Sequence, residues 1–302
     1  MPGAVKSLDP AVLDRLSSLS LVARAVVEGF MAGQHRSTHL GSSVEFAQHR
    51  EYTLGDELRR VDWRVFGRSD RLVVKQFVEE ENLVCHLLLD ASESMSYASL
   101  PWTKLDYARW CSAALTHLVL SNRDTAGLVV FDEAYRTKVP PGNGAVQRKS
   151  ILDLLEATEA TGRTNLGSVL RWIAPKLKRR GIVCVFSDFF DDPKEILSGV
   201  RLLLSGGHEP ILFQILDPEE LDFGFQSMLK LEGLEQAGVH KIDPRAIRSA
   251  YLEEFGRHNT ELARAARALS VDFVPIRTST PLEAALSTYL AHRMARVRGG
   301  RR

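Results

Sequence analysis

Three short clusters in this 302-residue chain carry side chains able to act together. The first, Asp90-Ala91-Ser92-Glu93-Ser94, follows the apolar run Leu83 to Leu89. The second is Thr161-Gly162-Arg163-Thr164-Asn165-Leu166. The third, Ser187-Asp188-Phe189-Phe190-Asp191-Asp192, follows an apolar run that begins at Ile182. Alternate residues of an extended chain face one side, so Asp90, Ser92 and Ser94 can present three oxygens to one point. Thr164 and Asp188, arriving from neighbouring loops, complete an all-oxygen site of the kind that suits a hard divalent ion, Mg²⁺ or Mn²⁺. With two carboxylates near it, such an ion stays electrophilic enough to take an Asp or Glu from a second molecule. The plainer account of the same residues is loop capping, because Ser, Thr and Asp side chains commonly bond free N–H groups at turns and helix starts.

The elements that must position these clusters follow from hydrophobic periodicity. Leu83–Leu89 is strand-length and continuously apolar, as a strand buried on both faces should be. A helix is expected over Leu105–Leu120, then strand Thr125–Phe131, an antiparallel neighbour Tyr135–Val139 and helix Val146–Ala157. Helix Leu166–Arg179, strand Ile182–Ser187, helix Pro193–Leu204 and strand Pro210–Ile215 continue the series. Gln226–Asp243 reads as a short β-meander, Pro244–Leu269 as a long helix, Val271–Ile276 as a strand and Pro281–Arg296 as a closing helix. Strands alternating with helices imply a doubly wound, mostly parallel α/β sheet covered on both faces, whose ligands bind beyond the carboxyl ends of the strands.

The amino-terminal part has a different texture. Residues 9 to 32 read as helical, with Leu13, Leu16, Leu19, Val22, Val26, Val27 and Phe30 at helical spacing. From His35 to Glu81 there are eight Lys or Arg and nine Asp or Glu, interleaved with Phe46, Tyr52, Trp63, Phe66 and Phe77. So many large anchors among charges indicate an ordered platform laced with ion pairs. Thr53–Asp56 reads as a turn and Leu72–Val78 as a strand. The expected organisation is a helical and β-rich region over 1–81, an α/β domain over 82–296 and a basic tail over 297–302.

Composition narrows the classes of function. The chain is 44% hydrophobic and 25% charged, with 39 Lys and Arg against 38 Asp and Glu and a formal charge of +1. No bulk field favours nucleic acid or an anionic membrane. Cys85, Cys111 and Cys184 lack metal-type spacing and lie in apolar runs, as reduced core residues of a cytoplasmic protein would. No run of eighteen apolar residues suggests a membrane span, and the first residues lack the uninterrupted apolar core of a signal peptide.

Asp90-x-Ser92-x-Ser94, Thr164 before Asn-Leu, and Asp188 after an apolar strand together resemble the metal-ion-dependent adhesion site of von Willebrand factor A domains. That resemblance implies that Asp90, Ser92, Ser94 and Thr164 surround an ion, with Asp188 bound directly or through water; Thr161 is an alternative for the threonine. Asp191 and Asp192 have no counterpart. A second block is similar to bacterial proteins grouped as domain of unknown function family 58. It runs from His35-Arg-Ser37 through Gly41, Glu45-Phe46, Arg50-Glu-Tyr52, Gly55-Asp56, Arg59, Asp62-Trp63-Arg64, Arg68, Leu72, Lys75 and Phe77 to Glu80-Glu81. Those proteins place such a block before a von Willebrand A-like domain and are often linked to MoxR-type AAA+ ATPases, which implies an ATPase partner.

The expected function is therefore a non-enzymatic, divalent-metal-dependent protein-interaction module, an adaptor or scaffold. The alternative is a phosphoryl-transfer enzyme of haloacid-dehalogenase type. That chemistry needs DxD with the second Asp as general acid, and Ser92 occupies that position, where a hydroxyl is a poor proton donor. Arg59, Arg60, Arg64, Arg68 and Arg71 around Trp63 and Phe66 could suggest nucleic acid. Interleaved Asp56, Glu57, Asp62 and Asp70 favour internal ion pairs instead, with an arginine stacked on Trp63. His35, His39 and His49 lack the spacing of zinc ligands, His86 reads as a core residue, and no GxxxxGK[ST] loop is present.

Overall fold

The computed structural model describes residues 9–16, 18–34, 46–54, 56–77, 83–224, 229–232, 239–242, 244–282 and 287–288. The chain divides into two compact units, residues 37–82 and the remainder.

The larger unit is built on a six-stranded sheet. Its strands are β3 (Val84–Asp90), β4 (Thr125–Phe131), β5 (Tyr135–Gly142), β6 (Ile182–Ser187), β7 (Glu209–Leu216) and β10 (Asp272–Arg277), in the order β10-β7-β6-β3-β4-β5. All neighbours pair in parallel except β4 with β5. Counted within this sheet the order is 3-2-1-4-5-6, that of a doubly wound fold, and it reverses between β3 and β6. Strand alternation sorts the side chains into two cores. Cys85, Leu87 and Leu89 of β3 join Cys184 and Phe186 of β6 on one face, while Leu88, Val183 and Val185 face the other.

Helices cover both faces. On the first lie α4 (Lys104–Ser121), α5 (Gly144–Ala157) and α2 (Leu19–Gln34), preceded by the single turn α1 (Pro10–Leu13). On the second lie α6 (Leu166–Ile173), α7 (Pro193–Ser205) and α9 (Pro244–Ala268), contributing Leu170, Ile196, Val200, Leu203 and Leu262. α4 starts at a capping box in which Thr103 and Asp106 satisfy each other's backbone N–H groups. It is buried almost all round because α2 packs against it. Sequence reading grouped residues 9–34 with the charged segment; in the structure Leu13, Leu19, Val22 and Val26 belong to the core of the α/β unit.

A short helix absent from the sequence reading, α8 (Pro218–Asp222), follows β7 and begins at a capping box of Asp217 and Glu220. The expected meander is represented by the antiparallel pair β8 (Leu229–Glu232) and β9 (Val239–Ile242). Most of the closing helix expected over Pro281–Arg296 and the basic tail lie outside the described residues.

The smaller unit pairs β1 (Phe46–Glu51) with β2 (Val73–Phe77) antiparallel, with α3 (Trp63–Ser69) between them in sequence. Asp62 caps α3 through the N–H groups of Arg64 and Val65 and accepts from His49 at 3.1 Å. The expected turn is present: the Asp56 N–H reaches the Thr53 carbonyl, and the Asp56 carboxylate accepts from the Thr53 N–H and pairs with Arg50 at 2.6 Å. Those bonds hold the Asp56 carboxyl below its ordinary value, the Thr53 N–H first and Arg50 next. Trp63 meets the edge of Phe66 at 6.1 Å between ring centres.

Candidate metal site at the strand-order reversal

Asp90 ends β3 and Ser187 ends β6, the two strands between which the sheet order reverses. Open parallel sheets form their ligand crevice at this point. The Asp90 carboxylate is wholly buried. Its Oδ1 accepts from the Ser92 N–H at 2.9 Å, and its Oδ2 accepts from the Ser187 hydroxyl at 2.6 Å and the Thr164 hydroxyl at 3.4 Å. Ser92, also fully buried, places its hydroxyl 3.1 Å from that of Ser94, which lies on the adjoining 3₁₀ turn Glu93–Ser96. Ser92 makes no side-chain capping bond to that turn. Four of the five sequence-predicted residues are thus joined by hydrogen bonds, Thr164 and the Ser92 backbone to Asp90 and Ser92 to Ser94.

Asp188 is next to the set but turned differently. Its Oδ1 accepts from the Phe190 N–H at 3.2 Å, and its Oδ2 accepts from the Lys104 ammonium at 2.8 Å. The following residue, Phe189, holds a left-handed backbone with φ of 59° although it bears a large side chain. That conformation is costly and survives only where surrounding structure enforces it. Here Gln214 donates to the Asp188 carbonyl at 3.1 Å, and His258 of α9 bonds the Phe189 carbonyl at 2.9 Å. The loop is fixed from behind.

The alternative threonine is engaged elsewhere: the Arg136 guanidinium bonds both the hydroxyl and the carbonyl of Thr161. Asp191 accepts from the Gly167 N–H and Asp192 caps α7, so both serve helix starts. Loop capping also accounts for one oxygen each of Asp90 and Asp188. It does not account for the contact between the Ser92 and Ser94 hydroxyls or for that of Thr164 with Asp90.

Ser187, which the sequence reading named in the third cluster without a role, and two residues it did not name, Lys104 and Glu220, also take part. Ser187 bridges β3 and β6 through Asp90. Lys104, the first residue of α4, is fully buried and joins Asp188 to Glu220 of α8, the latter at 2.6 Å. Lys104 shares the helical stripe of buried Tyr107, Ala108 and Cys111, and a lysine on such a stripe is a signal that spacing alone can give.

The electrostatics are those of a crowded anionic site. Burial, then Asp188, push the Asp90 carboxyl up to about 7. Burial raises Glu220 as well, against the pull of Lys104. Burial alone would lower the Lys104 ammonium, but Asp188 and Glu220 outweigh it and hold the group protonated, above its ordinary value. The buried carboxyls of Asp90, Asp188 and Glu220 outnumber the single Lys104 ammonium in a dry surrounding, an imbalance that a bound cation would relieve. Ligand oxygens about 2.1 Å from an octahedral ion sit about 3 Å apart along an edge. The Ser92–Ser94 separation of 3.1 Å and the Thr164–Asp90 separation of 3.4 Å are close to that spacing. Among the described residues no three His, Cys, Asp or Glu side chains gather as a metal cluster, and hydroxyls would have to supply the remaining ligands of any ion held here. Donor chemistry and charge fit a hard divalent ion.

Strand order and the single antiparallel edge strand make this a doubly wound α/β domain of von Willebrand A-like fold. The chain belongs to the family described as Protein of unknown function DUF58, which it matches over residues 48–261. An uncharacterized protein of Mycobacterium tuberculosis is 26% identical over 290 residues, spanning 94% of this chain and 90% of the relative. An uncharacterized protein of Mycobacterium bovis matches to the same extent. Among solved structures, the conserved hypothetical protein BatB of Bacteroides thetaiotaomicron is 16% identical with a TM-score of 0.49, covering 71% of this chain and 99% of that one. The SpRpn10 VWA domain is 12% identical with a TM-score of 0.43, covering 69% of this chain and 95% of that one.

Proposed function

We propose that this protein is a non-enzymatic interaction module whose strand-end site takes Mg²⁺ or Mn²⁺ and, through it, a carboxylate from a partner protein. The observation that carries the reading is the hydrogen-bonded grouping of Asp90, Ser92, Ser94 and Thr164 at the sheet reversal, where buried carboxyls outnumber the one ammonium. Hydroxyl ligands bring no charge of their own, so a bound ion would keep its affinity for an external Asp or Glu. Asp188 stands behind the set and would act through water or directly. Ser92 stands where a phosphoryl-transfer enzyme needs an acid.

The partner that family resemblance suggests is a MoxR-type AAA+ ATPase, with this chain as its adaptor or scaffold. The cytoplasm is the compartment that suits three free, buried thiols. No described helix is long and apolar enough to cross a membrane.

Calorimetric titration with Mg²⁺ tests the reading. The wild type should give a saturable heat that Asp90→Ala combined with Ser92→Ala abolishes, and equal heats in both would remove the metal. In extract, the immobilised chain should retain a AAA+ ATPase with Mg²⁺ and release it to chelator. Mg²⁺-dependent release of phosphate from an aryl phosphate, lost in Asp90→Asn, would instead favour the enzyme.

A further inference from the structure

Lys104 enters the charge balance of the site but was given no role of its own, and it is fully buried beside the site. Its Nζ lies 2.8 Å from Asp188 Oδ2, 2.6 Å from Glu220 Oε1 and 5.0 Å from the centre of the Phe190 ring. Glu220 spends its other oxygen on the Asp217 N–H at 2.9 Å, closing the capping box of α8. Asp217 in turn accepts from the N–H and hydroxyl of Ser99, on the chain that leads from Ser94 to α4. One ammonium is therefore clamped between the carboxylate at the site and a carboxylate one layer farther back, where little solvent screens either contact.

We propose that Lys104 and Glu220 are positioning residues that act as an opposed charge pair and set the cation affinity of the strand-end site from behind. The proposal rests on the divalent-cation reading. Lys104 cancels one unit of negative charge beside Asp188 and so holds cation affinity down. Glu220 offsets part of Lys104 and holds affinity up. A site balanced in this way binds its ion firmly enough to stay loaded, yet does not saturate the ion's appetite for an external carboxylate.

The test is a double-variant cycle on the full chain, titrated with Mg²⁺ alone at pH 8.5, where carboxylates ionise most readily. Glu220→Gln should weaken Mg²⁺ binding about tenfold and Lys104→Met should tighten it about tenfold. The combined variant should return to within about threefold of wild type. A lysine that merely props up the fold would weaken binding when removed and would gain nothing from the second change. If Lys104→Met needs the ion in order to fold, Mg²⁺ should raise its melting temperature more than that of wild type. Glu220→Gln keeps the Lys104–Asp188 contact and carries the opposite sign independently. Shifts of the same sign in both single variants, or shifts below twofold in both, overturn the proposal while leaving the metal reading intact. Absence of Mg²⁺ heat in the wild type removes the metal reading, and this proposal with it.

Discussion

Burial acts on two side chains of β3 in opposite senses. It pushes the Asp90 carboxyl up to about 7, with help from Asp188, and pushes the His86 imidazole down to about 4, against the Arg179 carbonyl that accepts its Nε2–H. A lowered histidine stabilises the fold fully above its ordinary value of 6.5, and that contribution is lost as pH falls toward 4. A raised carboxyl has the reverse sign: its contribution is complete below 3.8 and lost as pH rises toward 7. His86→Gln can still donate to Arg179 but cannot gain a charge, so thermal melts should show less loss between pH 6.5 and 4 than wild type. A shift of one pH unit corresponds to about 1.4 kcal/mol. At this scale the sequence was informative where spacing alone sets direction. Alternation along an extended chain was the ground for grouping Asp90, Ser92 and Ser94, yet Ser94 lies on a 3₁₀ turn and meets Ser92 by that route instead; the burial of His86 followed from its place in an apolar run. The partners of Lys104 were not readable, because Asp188 and Glu220 lie 84 and 116 residues away and only the closed sheet brings them together.

Among the elements, the approach of α6 to α7 depends on two glycines. A Cβ built on Gly199 would lie 2.4 Å from the Leu170 Cβ, and one on Gly167 would lie 2.7 Å from the Glu195 backbone. Gly199→Val should therefore force the helices apart and destabilise by about 1–3 kcal/mol in chemical unfolding. Gly256, within α9, has open space where a Cβ would point. Gly256→Ala should stabilise by about 0.5–1 kcal/mol, since alanine favours the helix and meets nothing. Elements with a continuous apolar run, β3, β6 and β7, lay within a residue or so of their expected bounds. The helix expected to reach Arg179 stops at Ile173, where Pro175 enters a 3₁₀ turn over Ala174–Lys176. α8 was missed because five residues are too few to show a period; its Asp-Pro-Glu-Glu start was the available signal.

For the molecule as a whole, alternating strands and helices fixed the fold class before any coordinates, since few topologies cover a parallel sheet on both faces. The assignment of residues 9–34 was less accessible. An amphipathic helix announces that one face will be buried but does not say against what, and α2 finds α4 across the intervening segment of residues 37–82. The sheet also encloses all three cysteines. Cys85 and Cys184 lie side by side in the same core layer and Cys111 faces them from α4, each unoxidised. Burial raises the Cys111 and Cys184 thiols above their ordinary value, so very little thiolate is exposed to an electrophile. An alkylating reagent should therefore find the intact protein inert and modify all three sites together, at one rate, only in molecules that have come apart. Mass spectrometry of the alkylated chain would then serve as a clock for global opening, one that needs no added probe and that ticks more slowly whenever an ion or a partner steadies the fold.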